Sequence, residues 1–231
     1  MSRSLNKEII STGCIALIIL LSSLTGIKAT AAESKIITNK KIIVIDPGHG
    51  GEDTGIIVNS DLYEKTYTLE LAEITARLLK NQYTVLFTRT SDLKVPNFKR
   101  TSFANIKKAD IFISLHAKKE KGNEDYFIIY APPLEAQPLK SGELLPWEAE
   151  HLKYIKKSKA AAENFVQIFS QQFKTDFGVI SAPLEIFQGA QMPAVFIEVM
   201  SMEDLMGEPG NKTKLQNYAK AIAKSLEEIL K

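Results

Sequence analysis

The sequence predicts an α/β domain with a twisted, mostly parallel sheet flanked by helices. Short apolar runs alternate with longer stretches whose apolar residues recur at helical spacing, a pattern typical of parallel strands joined by crossover helices. The first such pair is a buried strand predicted at Lys41–Asp46 and a helix predicted at Glu64–Lys80, with Leu71, Ile74 and Leu78 on one face. About 199 residues follow the first 32, which indicates a single domain.

The other predicted elements continue this alternation to the end of the chain. Apolar runs between polar or turn-forming residues predict further strands at Thr84–Thr88, Ile111–His116, Tyr126–Tyr130, Leu184–Phe187 and Ala194–Val199. Helical spacing predicts further helices at Phe98–Lys107, Glu148–Phe173 and Lys212–Leu230. The proline-rich residues 131–147 follow neither pattern, and we expect a variable surface insertion within residues 131–157.

Residues 1–32 are predicted to be a secretory signal peptide rather than part of the domain. Arg3 and Lys7 give a basic start, a mostly apolar stretch covers residues 9–27, and the sequence ATA at 29–31 supplies a small-residue cleavage pattern. An uncleaved N-terminal membrane anchor is the alternative, because the apolar stretch is nearly long enough to span a bilayer. Its serine, threonine and glycine residues weaken such a span. We therefore expect residues 33–231 to be exported, and to be periplasmic or associated with the cell wall.

Charge and cysteine content narrow the function classes open to the exported part. Residues 1–32 hold three of the 29 basic and one of the 27 acidic residues, which leaves 26 of each sign in residues 33–231. A nucleic-acid-binding domain is expected to carry a basic excess, so nothing supports a nucleic-acid partner. The only cysteine, Cys14, lies in the predicted signal peptide, and the exported part therefore has no disulfide and no thiolate metal ligand.

Two histidines and one glutamate fall where a parallel sheet places its ligands, beyond the carboxyl ends of the strands. His49 follows the first predicted strand within DPGHGGEDTG, where the neighbouring glycines suit presentation to a ligand better than packing in a core. His116 ends the third strand, and Glu198 ends the last one. Without a thiolate, two imidazoles and one carboxylate form a recognised catalytic zinc set. Glu64, at the start of the helix after His49, is the best third ligand.

Each of these residues also has an alternative explanation that the sequence leaves open. Glu64 in a first helical turn interacts favourably with the helix dipole. His116 could be a buried histidine bonded to the backbone. Glu198 stands among apolar residues in AVFIEVM, where burial would raise its carboxyl pKa and suit a group that accepts and later donates a proton. Its alternative is a salt bridge to a lysine or arginine at the edge of the sheet.

Six sequence stretches follow one another in a recognisable order. They are IVIDPGHGGEDTG at 43–55, YEKTYTLELA at 63–72, VLFTRTSD at 85–92, RTSFAN at 100–105, ADIFISLHA at 109–117 and MPAVFIEVM at 192–200. In this order they resemble the zinc-dependent N-acetylmuramoyl-L-alanine amidases of the amidase_3 type, a family of cell-wall hydrolases. The resemblance runs from Lys41 to about Leu230, and the ordered set is far more specific than DPGHGG alone.

The resemblance implies a phosphorylase/hydrolase-like α/β fold and a specific chemistry. His49, Glu64 and His116 match the zinc ligands of the family, and Glu198 matches its catalytic glutamate. The implied reaction cleaves the amide bond between the lactyl group of N-acetylmuramic acid and L-alanine of the peptidoglycan stem peptide. Metal-bound water is the implied nucleophile, with Glu198 as general base and acid. Peptidoglycan, or its muropeptide fragments, is the implied substrate, and Zn²⁺ is the implied cofactor.

The sequence departs from the family pattern at two places and contains an insertion, so functions other than amidase activity remain possible. Lys118 and Lys119 stand where the family usually has a small polar residue or asparagine, and Val199–Met202 replaces a glycine-containing segment. Some relatives insert a helix that blocks the site until an activator protein displaces it. Residues 131–157 occupy the corresponding place but show no clear inhibitory segment. A non-catalytic peptidoglycan-binding or regulatory module and a metallopeptidase that cuts within peptides are the alternative functions.

Overall fold

The computed structural model of the protein describes residues 40–59, 62–118, 128–131, 146–174, 177–202 and 210–231. In these ranges the strands are β1 (Ile42–Pro47), β2 (Ile57–Asn59), β3 (Leu62–Tyr63), β4 (Thr84–Phe87), β5 (Ile111–Lys118), β6 (Ile128–Ala131), β7 (Gly178–Ser181) and β8 (Ala194–Ser201). The α-helices are α1 (Glu64–Leu79), α2 (Asn97–Ile106), α3 (Ile155–Phe173) and α4 (Gly210–Ile229). Two 3₁₀ helices cover Trp147–Tyr154 and Glu185–Phe187.

A six-stranded sheet in the order β4-β1-β5-β8-β6-β7 carries the fold. Strands β4, β1, β5 and β8 are mutually parallel, whereas β6 pairs antiparallel with β8 and β7 pairs parallel with β6. Strands β2 and β3 form a separate antiparallel pair just before α1. The predicted α/β class, with a mostly parallel sheet flanked by helices, is confirmed.

Both faces of the sheet are covered, as the apolar runs of the strands require. Alternate residues of β1 point to opposite faces, so Ile43 and Ile45 belong to one apolar cluster and Val44 to the other. Helices α1, α3 and α4 contribute to the first cluster, whereas α2 and the 3₁₀ helix Glu185–Phe187 contribute to the second. By the same alternation, His116 of β5 lies on the face of the second cluster.

The predicted strand at Leu184–Phe187 is wrong, because this segment forms the 3₁₀ helix Glu185–Phe187. The backbone N–H of Phe187 donates to the carbonyl of Leu184 at 3.0 Å, and Ile186 and Phe187 are buried in the second apolar cluster. The strand in this region is β7, which pairs with β6 at the edge of the sheet. Because β7 is largely exposed, its sequence GVIS has no distinct apolar run.

Other sequence predictions differ from the structure only at element ends or fall outside it. The predicted helix Glu148–Phe173 begins as the 3₁₀ helix Trp147–Tyr154 and becomes α-helical at Ile155. The predicted signal peptide at 1–32, residues 132–145 of the predicted insertion and Lys119 lie outside the described residues. Among the described helices, none is both long and apolar enough to cross a membrane.

A buried ion pair closes the turn that follows β1. Asp46 accepts a hydrogen bond from Arg100 Nη1 at 2.6 Å, and the two side chains are 1% and 5% exposed. The Arg100 guanidinium also donates to the carbonyls of Pro47 at 3.0 Å and His49 at 2.9 Å. The second oxygen of Asp46 accepts from Ser114 Oγ of β5 at 2.7 Å. One ion pair therefore joins β1, β5, α2 and the turn that carries His49.

Arg89 is the second buried cation on this turn, and it is 4% exposed. Its Nε donates to the carbonyl of Pro47 at 2.9 Å, and its Nη2 donates to the carbonyls of Gly48 at 2.8 Å and Lys65 at 2.7 Å. The hydroxyl of Thr68 on α1 also donates to the carbonyl of Gly48 at 2.9 Å. These donors satisfy carbonyls of the turn that would otherwise need other partners, so buried side chains hold the turn.

We expect Asp46→Asn to lower the free energy of unfolding by about 3 kcal/mol or more, because it leaves the buried Arg100 cation without its counter-charge. Glu73→Gln is the matched control: Glu73 pairs with Arg77 at 4.0 Å, with side chains 50% and 62% exposed, and should cost less than about 1 kcal/mol. Urea unfolding of both variants in excess chelator measures the difference. Equal urea midpoints would contradict the role assigned to the buried pair.

Candidate active site

The structure brings the three predicted metal ligands together at the carboxyl edge of the sheet. The atoms that His49, Glu64 and His116 offer to a metal lie within 4.8 Å of one another. Glu64 Oε2 is 3.1 Å from His49 Nε2, and Glu64 Oε1 is 3.1 Å from His116 Nδ1. The two histidine nitrogens are also 3.1 Å apart. Their convergence is thus observed, while their role as ligands stays a prediction.

His49 is presented by a turn with unusual backbone geometry. Its φ of 63° lies in the left-handed region that residues with a side chain rarely adopt. The bond from Arg100 to its carbonyl holds this conformation, and its ring Nδ1 lies 2.8 Å from Asp53 Oδ1. The other ring nitrogen, Nε2, therefore faces Glu64 and His116.

His116 is placed by β5 and by the rings and glycine around it. It stacks on Phe196 of β8 with ring centroids 4.2 Å apart and an interplanar angle of 19°. A Cβ at Gly48 would overlap the His116 imidazole, so only glycine lets the turn approach this closely. The His49 ring meets the His116 ring edge-on, with centroids 4.8 Å apart.

Glu64 begins α1, yet its carboxylate faces away from its own helix. It is 2% exposed and accepts backbone N–H bonds from Ala117 at 2.9 Å and Ile56 at 3.0 Å. Burial opposes its ionisation, but the hydrogen bonds with His116 and His49 outweigh burial and lower the pKa of Glu64 well below its usual range. An ionised carboxylate with these partners has more than the helix-dipole role that its position in the first turn suggested.

The three side chains fit a zinc ion in chemistry and spacing. Two ligand atoms around a tetrahedral zinc, each about 2.0–2.1 Å from the metal, stand about 3.3 Å apart. The nearest distance between each pair of residues is 3.1 Å, with His49 and His116 contacting different oxygens of Glu64, and one ligand atom from each residue lies within 4.8 Å of the others. The donor set of two imidazoles and one carboxylate matches catalytic zinc sites that keep a fourth position open. The same donors also suit other divalent ions.

Glu198 lies beside this cluster but outside it. It is the register partner of His116 on the neighbouring parallel strand, so both side chains project from the same face of the sheet. Burial, together with the negative charge of Glu64, raises the pKa of Glu198 to about 7, and the positive charge of Lys118 acts in the opposite direction. Within the described part of the chain Glu198 makes no ion pair, so its salt-bridge alternative has no support there.

A cleft of about 530 Å³ opens beside His49 and His116. One wall is formed by residues 94–98, which lead into α2, and the other by residues 184–186 of the 3₁₀-helical segment. Phe196, which stacks on the His116 ring, also lines the cleft. Asn97 Nδ2 donates to Glu185 Oε2 at 2.8 Å and joins the two walls. The segment predicted to be a strand at Leu184–Phe187 therefore forms part of the cleft instead of the sheet.

Sequence reasoning missed the residues that hold the predicted ligands in place. Arg89, Arg100 and Asp46 lie within motifs that supported the family resemblance, but no role was assigned to them. Arginine and aspartate are rarely buried unless they are paired, so their occurrence next to apolar strands and helices was the available signal. Asp53 stands four residues after His49. In a helix this spacing would predict a contact between the two side chains, but in a turn it predicts none.

A protein-family model matches most of the chain, including all four predicted site residues. The Amidase_3 family model, described as N-acetylmuramoyl-L-alanine amidase, matches residues 43–228. The N-acetylmuramoyl-L-alanine amidase CwlM of Bacillus licheniformis is 41% identical over 110 residues, which are 45% of this chain and 43% of CwlM. The sporulation-specific N-acetylmuramoyl-L-alanine amidase of Bacillus subtilis is 43% identical over 91 residues, which are 38% of this chain and 35% of that protein. The matched part of this chain thus spans less than half the length of these curated relatives.

Solved structures show the same fold. The catalytic domain of CwlV, an N-acetylmuramoyl-L-alanine amidase from Bacillus (Paenibacillus) polymyxa var. colistinus, superposes with a TM-score of 0.64 at 25% identity. The match covers 82% of this chain and 98% of that domain. The amidase AmiC2 of Nostoc punctiforme has a TM-score of 0.63 at 24% identity over 82% of this chain and 97% of AmiC2. With the family model matching residues 43–228, the resemblance found in the sequence is confirmed, and the chain belongs to the Amidase_3 family of N-acetylmuramoyl-L-alanine amidases.

Proposed function

We propose that the protein is an exported, zinc-dependent amidase that cleaves the bond between the lactyl group of N-acetylmuramic acid and L-alanine in peptidoglycan. The observation that carries this proposal is the convergence of His49, Glu64 and His116, with Glu198 beside them. Membership of the Amidase_3 family supports the same reaction class. Zinc, when bound by these three side chains, would polarise the substrate carbonyl and lower the pKa of a coordinated water to about 7.

In this proposal Glu198 moves the protons of the reaction. It accepts a proton from the attacking water as the new C–O bond forms at the lactyl carbonyl. It then donates that proton to the alanine nitrogen as the C–N bond breaks, so that the products are a carboxylic acid and the free amine of L-alanine, which become carboxylate and ammonium at neutral pH. A carboxyl whose pKa is raised to about 7 is present in both forms near neutral pH, which suits a group that must accept and release a proton.

Export, periplasmic or cell-wall location and an activator protein are further parts of the proposal. Export is inferred from the pattern of residues 1–32, which lie outside the described residues. A requirement for an activator would involve residues 131–157, of which 132–145 also lie outside them. A non-catalytic peptidoglycan-binding module on this fold is the second candidate, since Lys118 and Val199–Met202 depart from the family pattern.

Digestion of purified peptidoglycan should release intact stem peptides that begin with a free L-alanine amine, as judged by mass spectrometry. A chelator should abolish the products, and added zinc should restore them. Peptides cut internally would indicate a metallopeptidase instead. Zinc and muropeptide binding without any product would favour the non-catalytic module.

Glu198→Gln should lower kcat by about 10²–10⁴-fold, because the amide cannot accept the proton that the mechanism assigns to the carboxylate. Zinc stoichiometry should be unchanged, since Glu198 lies outside the ligand cluster. Glu163→Gln on α3, whose side chain is 58% exposed, is the matched control and should keep full activity. A fully active Glu198→Gln variant would exclude the proposed proton transfer.

The wild-type protein should bind one zinc ion per chain, and His49→Ala and His116→Ala should each lose it, as measured by elemental analysis after dialysis. Each substitution removes one of the three donors that converge. His151→Ala, which changes the third histidine on the 3₁₀ helix Trp147–Tyr154, is the control and should retain zinc. Retention of a full equivalent by both ligand variants would place the metal elsewhere.

A further inference from the structure

We propose that Asp53 is a positioning residue that determines which ring nitrogen of His49 is available to a metal and ties His49 to the segment that holds Glu64. The inference rests on the proposed function, because it gives Asp53 a role toward a metal only if His49 is a ligand. Asp53 itself lies outside the cluster of His49, Glu64 and His116.

The first argument is the direction of the hydrogen bond between Asp53 and His49. Asp53 Oδ1 lies 2.8 Å from His49 Nδ1. An ionised carboxylate can only accept hydrogen bonds, so Nδ1 must carry the hydrogen. Glu64 Oε2 likewise accepts from His49 Nε2 at 3.1 Å, so that without a metal the ring can carry a hydrogen on each nitrogen. A metal takes the place of the hydrogen on Nε2, the atom that also lies 3.1 Å from His116 Nδ1, because Asp53 keeps the hydrogen on Nδ1. Asp53 thus leaves the electron pair of His49 on the side where the other two ligands converge.

The second argument is that the same carboxylate oxygen holds the following turn. Asp53 Oδ1 also accepts the backbone N–H of Gly55 at 3.2 Å. The next residue, Ile56, donates its backbone N–H to Glu64 Oε2 at 3.0 Å. A single oxygen therefore connects the ring of His49 to the short segment that orients Glu64.

The packing around Gly55 makes this connection sensitive to small shifts. Gly55 has a φ of 62°, and a Cβ there would approach both Glu64 Oε2 and His49 Cδ2 to 2.6 Å. The backbone of residue 55 thus lies against both ligands. If Asp53 no longer held the Gly55 N–H, the separation between His49 and Glu64 would be less well defined. Outer carboxylates that orient ligand histidines typically contribute 10–100-fold to metal affinity.

The neighbouring carboxylate offers a matched comparison. Glu52 has a side chain 89% exposed, and it lies 3.4 Å from Lys94, whereas the Asp53 side chain is 52% exposed and contacts His49. Substituting either residue by its amide removes one negative charge at nearly the same place. A difference between the two variants therefore reports on the contact with His49 and not on the general electrostatic field.

The experiment compares zinc affinity in the full protein, measured by competition with a chromophoric chelator. We expect Asp53→Ala to weaken zinc binding by about 10–100-fold. Asp53→Asn should fall between Asp53→Ala and the wild type, because its amide oxygen can still accept from Nδ1 but carries no charge. Glu52→Gln should stay within about twofold of the wild type, as expected for an exposed substitution.

Nitrogen NMR of the metal-free protein, at a pH high enough to keep His49 neutral, supplies a readout that a general loss of stability would not change in the same way. His49 should carry its hydrogen on Nδ1 in the wild type and in Glu52→Gln, and should become a mixture of both ring forms in Asp53→Ala. Equal zinc affinity and an equal ring form in Asp53→Ala and Glu52→Gln would overturn the inference. Absence of zinc binding by the wild type would instead overturn the proposed metal site, while the NMR comparison would still decide whether Asp53 controls the ring.

Discussion

The buried ion pair between Asp46 and Arg100 is the interaction on which the site depends. It places a cation under the turn after β1, where Arg100 donates to the carbonyl of His49 at 2.9 Å. Arg89 performs the same task for Pro47 and Gly48. A left-handed backbone at His49 costs free energy, and it persists only because these donors specify the turn. The arginines therefore act on the chemistry indirectly, by holding the backbone that presents an imidazole.

Two glutamates at the same edge of the sheet have opposite electrostatic environments. Glu64 is buried, but its hydrogen bonds and charge interactions with His116 and His49 outweigh burial and lower its pKa. Glu198 is also withdrawn from water, but it lies near the charge of Glu64 and its pKa is raised. One carboxylate is thus suited to binding a cation and the other to exchanging a proton. Such a division between neighbouring carboxyl groups is a recurrent arrangement in hydrolytic sites.

The departures from the family pattern at Lys118 and after Glu198 have different physical effects. Lys118 ends β5, two residues after His116, and its positive charge opposes the rise in the pKa of Glu198. Met202 is fully buried in the first apolar cluster, and Ser201 is 1% exposed. The segment that replaces the usual glycine-containing stretch therefore packs into the core at these two residues. Neither departure removes a side chain from the cluster of His49, Glu64 and His116.

By itself, the sequence determined the α/β class, most strands and helices, and the four residues proposed to bind metal and move protons. Those features are local, because apolar periodicity and ordered motifs are properties of neighbouring residues. Only the tertiary structure decided that Leu184–Phe187 forms a cleft wall rather than a strand, and that Arg100, Arg89 and Asp53 contact His49 or its turn. Contacts such as His116 with His49, 67 residues apart, and Arg100 with His49, 51 residues apart, depend on the order in which strands pair. The periodicity of a single sequence does not predict the order of strands in the sheet, because packing between elements distant in the chain sets that order.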